Sequence, residues 1–131
     1  MSDDIRNRHG AFSWAELMTP DTEGAKSFYS SLLGWELQDF PMENFAYTVV
    51  KTGGEQVGGI MPLPPGAPAH MPPSWGCYIT VDDVDAVAEK AFSLGANVLV
   101  PPQDIPSVGR FAVLQDPQGA MFNIITYFER F

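Results

Sequence analysis

The chain has 131 residues, 45% hydrophobic and 18% charged, with one cysteine and a formal net charge of −9. A domain of this length can bury roughly two-thirds of the surface its unfolded chain exposes, so no disulfide is required, and Cys77 alone can form none within the chain. Seven Lys and Arg against sixteen Asp and Glu, without a basic cluster or a long apolar run, argue against nucleic acid, membrane or a signal segment and predict a soluble cytoplasmic protein.

Residues 1–10, MSDDIRNRHG, are polar and expected to be frayed or weakly docked. FSWAELM reads as a strand, and Asp21 as the cap of a helix over TEGAKSFYSSLL that Gly34 ends before the strand WEL. Apolar residues at Ala25, Phe28, Tyr29, Leu32 and Leu33 recur at helical spacing and predict one buried face. Two more strands, FAYTVV and QVGGIM, follow, joined by the turn Thr52-Gly53-Gly54-Glu55, with Gly58-Gly59 as bulge glycines.

Residues 61–74, MPLPPGAPAHMPPS, hold six of the twelve prolines and predict a semi-rigid surface connector. It separates module one, 11–60, from module two, 75–128, within one domain spanning 1–131. The second module repeats the first: strand WGCYITV, cap Asp83, a helix with Val84, Val87, Ala88, Ala91 and Phe92 on one face, the stop Gly95, strand ANVLV, and a hairpin of RFAVL and AMFNIITYF about Asp116-Pro117-Gln118-Gly119. Each module reads as βαβββ, and the chain as an α+β protein. The two modules can pair within one chain or exchange across a homodimer.

Strand alternation divides the side chains between faces. Trp14 and Glu16 fall opposite the helix in the first module, and Gly76, Tyr78 and Thr80 in the second. Two curved sheets meeting by those faces would enclose a cup. In such a cup Glu16 would have its pKa raised and could act as a general acid or base, the alternative being a salt-bridged or solvated strand-end carboxylate. Trp14, Tyr47, Trp75 and Tyr78 could present rings and hydroxyls to a ligand, Asn123 an amide, and Arg110 a cation for an anionic group; an exposed hairpin arginine fits the sequence equally well. Phe12, Phe111 and Phe122 read as core, Cys77 as a buried inert thiol, and His9 and His70 as exposed loop residues.

TPDTEGAKSFYSSLLGWE, VDDVDAVAEKAFSLGA and the turn Gln115-Asp116-Pro117-Gln118-Gly119 before AMFNII together resemble the vicinal oxygen chelate superfamily of glyoxalases, bleomycin-resistance proteins and extradiol dioxygenases, nearest to its glyoxalase-like branch. The resemblance covers residues 11–128 and implies a cupped mixed sheet of two βαβββ modules. Metal enzymes of that family place ligands on the first and last strand of each module. Carried over, these positions fall at about Trp14, Gly58, Gly76 and Asn123. Indole and glycine lack a ligating lone pair and an amide is a weak donor, so the expectation is no metal and no cofactor. The reading is then a small hydrophobic or aromatic molecule bound in a metal-free cup. The alternatives are a lyase, isomerase or dioxygenase-type enzyme with a nonstandard site, and a dimeric interaction module.

Overall fold

The computed structural model describes residues 4–42, 44–63, 67, 71–106 and 108–129. The element order is β1 (Phe12–Met18), α1 (Thr22–Leu33), β2 (Glu36–Pro41), β3 (Ala46–Thr52), β4 (Glu55–Met61), β5 (Ser74–Thr80), α2 (Val84–Ser93), β6 (Asn97–Ile105), β7 (Gly109–Gln115) and β8 (Met121–Tyr127). This is the α+β, twice βαβββ order expected. Six of the connector's fourteen residues, 64–66 and 68–70, His70 among them, lie outside the described residues.

The chain forms two compact units. One runs from Trp14 through β4 and takes in the start of β5 as far as Gly76; the other holds the described residues up to Ser13 and those from Cys77 onward. In the first the strand order is β2-β3-β4-β1, and in the second β5-β8-β7-β6. Each contains one parallel pair, β1 with β4 and β5 with β8, beside antiparallel hairpins. A parallel pair needs a long crossover, and α1 or α2 with the strands after it provides one.

Local chemistry explains the boundaries. The carboxylates of Asp21 and Asp83 accept from Gly24 N and Ala86 N, one turn into each helix. Gly34 at φ 70° ends α1, and Gly95 at φ 98° follows the last residue of α2's cap. Gly53 and Gly54 carry the positive φ values that the hairpin between β3 and β4 demands. At the second hairpin the Asp116 carboxylate accepts from Gln118 N and Ala120 N, holding the turn shut.

Each helix covers its sheet through a small core. Beneath α1, Leu17, Val50 and Ile60 pack with Ala25, Tyr29, Trp35 and Leu37. Beneath α2, Val81, Val84, Ala88, Ala112, Leu114 and Ile124 pack with Val87, Ala91 and Phe122. These contacts put Leu17 and Ile124 on helix-facing sides and therefore Glu16 and Asn123 on the opposite faces, because side chains alternate along a strand.

Four expectations about burial are corrected. No residue of α1 is buried: Ala25 and Tyr29 meet the sheet, while Phe28, Leu32 and Leu33 remain exposed. The apolar stripe is wider than the strip of sheet beneath it. Phe92 on α2 is exposed for the same reason. Cys77 points to the helix side as expected yet is exposed, because α2 covers Val81 and Ile124 and the core beneath it stops short of the strand's start. Phe12, at the first position of β1, is exposed rather than core. The start of the chain is also better docked than its polarity suggests: Gly10 N donates to Thr80 O, Thr80 N to Ala11 O, and Thr80 Oγ1 to Ile5 O.

Candidate functional site

Alignment of the two seven-residue first strands by position pairs Trp14 with Gly76, Ala15 with Cys77 and Glu16 with Tyr78. Register extends the correspondence to the last strands, where Glu16 lies opposite Gly59 and Tyr78 opposite Asn123. The two modules thus place different chemistry at one geometric position. Glu16 and Tyr78 are each 1% exposed. Gly58, expected among the inherited positions, instead pairs with Ala15 and Val50 on the helix side. A register shift beside it, between Val50 and Lys51, opens the bulge. Gly59 is the residue that shares the face of Glu16.

On that face of the first unit a directed hydrogen-bond chain links three of the expected residues. Trp14 Nε1–H donates to Tyr47 Oη at 2.9 Å, and Tyr47 Oη–H donates to Glu16 Oε2 at 2.6 Å. The direction follows from chemistry, since an indole N–H can only donate and the phenol has one proton to pass on. Tyr47 reaches Glu16 because Gly59 lies between their strands, paired with Glu16 on one side and Val49 on the other. A Cβ on Gly59 would collide with the Tyr47 hydroxyl and ring. Met18, Val49 and Met61, all buried, share the face by alternation and surround the polar chain with apolar surface. Sequence reading named Trp14, Glu16 and Tyr47 but missed Gly59's part; a glycine pair in mid-strand was the signal available.

In the second unit Tyr78 and Asn123, both buried, sit opposite one another, and the Tyr78 ring lies 6.3 Å from that of Phe111. The register therefore brings together two more of the expected residues.

Two expected residues lie elsewhere. Arg110 alternates with Phe111 and shares the side of Ala112 and Leu114, which α2 covers. Its guanidinium donates twice to the Asp85 carboxylate, at 2.7 and 3.0 Å, and once to Asp104 at 3.0 Å. These hydrogen bonds raise the arginine's pKa, and Arg110 holds the Asp85 carboxyl below the usual carboxylate value. The residue clasps the first turn of α2 rather than joining Asn123 on the other face. Trp75 likewise faces α1: its Nε1–H donates to Tyr29 Oη at 3.0 Å and its ring stands edge-on to Tyr29 and Trp35.

The donor set tests badly for a metal. Glu16 is the single carboxylate at the equivalent positions, which otherwise carry Trp14, Gly59, Gly76, Tyr78 and Asn123. Among the described residues no three His, Cys, Asp or Glu gather closely enough to hold an ion, whereas transition-metal sites need several such ligands converging. His9, also expected to be exposed, is so, with Nδ1 accepting from Asp82 N at 3.0 Å. No described helix is long and apolar enough to cross a membrane.

Residues 11–124 match the Glyoxalase/Bleomycin resistance protein/Dioxygenase superfamily. A protein of Mycobacterium tuberculosis named "Putative glyoxylase CFP32" is 45% identical over 115 residues, which cover 86% of this chain and 44% of that protein. The anthracycline biosynthesis protein DnrV of Streptomyces peucetius is 32% identical over 127 residues, covering 88% of this chain and 46% of that one. The chain thus spans about half the length of the curated relatives it matches. Among solved structures, methylmalonyl-CoA epimerase of Mycobacterium tuberculosis has a TM-score of 0.59 at 14% identity, over 95% of this chain and 91% of that one, a likeness of fold.

Proposed function

This chain belongs to the glyoxalase/bleomycin resistance protein/dioxygenase superfamily, and from that premise we propose that it binds a small, partly aromatic or hydrophobic molecule against the sheet face carrying Trp14, Tyr47 and Glu16. The observation that carries the reading is the Trp14–Tyr47–Glu16 chain, which fixes an indole and a phenol in one orientation within an apolar surround. Such a surface, mostly apolar with a few fixed polar groups, is what small-molecule sites are made of. Stacking on the Trp14 ring supplies affinity, and the polar chain keeps that ring from turning. Glu16, almost fully buried behind Tyr47, acts on the ligand through the phenol and is a positioning residue in this reading.

The name of the Streptomyces relative points the same way, since anthracyclines are fused planar aromatics and its role in their biosynthesis supports a planar ligand class here. The donor set around Glu16, one carboxylate beside an indole and a phenol, supports the metal-free reading.

The test is a fluorescence titration with a planar hydroxylated anthraquinone as probe. Trp35 and Trp75 sit together against α1, so a variant with both changed to Phe leaves Trp14 as the sole tryptophan. Saturable quenching in that variant, with a Kd weakened about tenfold in Tyr47→Phe, is the expected result. Quenching that survives Trp14→Phe in the otherwise native chain, or a stoichiometric metal in the purified protein that Glu16→Ala removes, would sink the proposal.

A further inference from the structure

On the sheet face of the second unit opposite α2, one buried side chain is out of keeping with its neighbours. Asn123 is paired with Tyr78 on β5 and with Val113 on β7, and directly paired residues of adjacent strands project to the same side. Val100, opposite Val113, extends that row, and Phe111 with Ile125 begins the next. All of them are buried, Asn123 to 3% exposure. Yet the Asn123 carboxamide makes no hydrogen bond to any described residue. Thr80, two residues along β5 from Tyr78, gives its hydroxyl proton to Ile5 O instead. No side-chain nitrogen or oxygen among the described residues is both wholly enclosed and unpaired. The little surface that Asn123 keeps therefore includes its amide, which opens from an apolar wall towards solvent.

A carboxamide in such a place is unfavourable, because buried polar groups are almost always paired and an unpaired one forfeits the hydrogen bonds it made to water in the unfolded chain. Leucine would fill a similar volume without that loss. The packing of the unit makes no use of the amide, so its use lies with something that enters.

We propose that Asn123 is the polar anchor of a ligand subsite in the second unit, and that it takes a neutral group presenting a donor and an acceptor side by side, as a carboxamide or lactam does. This compact unit does not hold Trp14, Tyr47 or Glu16, so the subsite does not rest on the reading given above. The anchor sets the chemical class: a carboxamide offers an acceptor oxygen and N–H donors along one edge, and a second amide edge matches it with two hydrogen bonds. Charge narrows the class further. Tyr78, Val113, Val100, Phe111 and Ile125 supply no ionised group, and Arg110, next to Phe111, is turned to the other side and held by Asp85 and Asp104. A carboxylate or an ammonium would enter without a counter-charge. The rings of Tyr78 and Phe111, 6.3 Å apart, add aromatic surface that favours a ring bearing the polar group.

Benzamide is the probe, compared with acetophenone, which keeps the carbonyl but lacks the N–H, and with benzoate. Proton–nitrogen NMR of the isotope-labelled full chain reads the Asn123 side-chain N–H pair, assigned by its loss in Asn123→Leu. The expected result is a saturable shift of that pair with a Kd of about 1 mM or tighter for benzamide, roughly tenfold weaker for acetophenone, and no saturation by benzoate. Asn123→Leu should abolish binding, read there through the backbone amide of Val113, and should raise the thermal midpoint by roughly 2–5 °C. An amide retained for structure would lower it. Benzamide that leaves the N–H pair unmoved, binding that survives Asn123→Leu, or a variant that melts below the native chain or does not fold, overturns the proposal. Trp14 takes no part in these readouts, so the quenching titration stands or falls separately.

Discussion

Tyr47 lies across Gly59, its hydroxyl occupying the space where any larger residue at position 59 would place its Cβ. Gly59 is paired on both sides, with Glu16 and with Val49, so its backbone has little freedom to retreat. Gly59→Ala is expected to displace the Tyr47 ring and to destabilise the fold by about 1–3 kcal/mol, the usual range for overpacking. Urea denaturation measures it. In Tyr47→Ala the same glycine change should cost much less, and equal costs in both backgrounds would show that the two residues do not compete for space.

Removing only the Tyr47 hydroxyl breaks both links of the chain, from Trp14 and to Glu16. Tyr47→Phe should cost roughly 1–3 kcal/mol, because the buried Glu16 carboxylate loses a hydrogen bond that water cannot readily replace and the half-buried Trp14 indole loses its acceptor. The Trp14 emission should also change, its indole N–H having lost an acceptor. A variant with native stability and unaltered emission would contradict the observed chain.

Acid stability should carry the mark of three carboxylates. Arg6 hydrogen bonding draws Asp4 down to about 2, Arg110 draws Asp85 below its ordinary value, and Thr48 followed by Lys26 does the same for Asp39. Each folded pKa is lower than its unfolded counterpart, so the folded state binds fewer protons and these groups stabilise it above the ordinary carboxylate value of 3.8. That contribution is lost as pH falls through the folded values, from about 4 towards 2. The carboxylates of Asp85 and Asp39 are more than half exposed, and solvent screening keeps their share small. Thermal melts against pH should show a shallower acid limb in Asp85→Asn than in the native chain, with the two curves meeting at the acid end.

The exposure of α1 gives a sharp contrast between two phenylalanines. Phe28 is 59% exposed and Phe111 2% exposed. Phe111→Ala should cost about 3–5 kcal/mol through the cavity it leaves, while Phe28→Ala should stay within about 0.5 kcal/mol in dilute, monomeric protein. Chemical denaturation at low protein concentration distinguishes them. Comparable costs would mean that α1 is more deeply seated than the burial of its residues indicates.

The sequence by itself determined the order of elements, both helix caps, both hairpin turns and the face on which Trp14 and Glu16 lie. All of these depend on residues within a few positions of one another: an Asp and the amides three residues on, a glycine at a helix end, a side-chain alternation that cannot change within an unbroken strand. Tertiary structure decided the rest. Gly59 and not Gly58 shares the face of Glu16 because the register between β1 and β4 and a bulge beside β3 set it so. Arg110 went to Asp85 and Asp104, Trp75 to Tyr29, and Cys77, Phe28 and Phe12 stayed open to solvent. Alternation tells which way a side chain points but not what stands above it. Cover is supplied by segments distant in the chain, and their extent is set by packing between surfaces that no local pattern encodes.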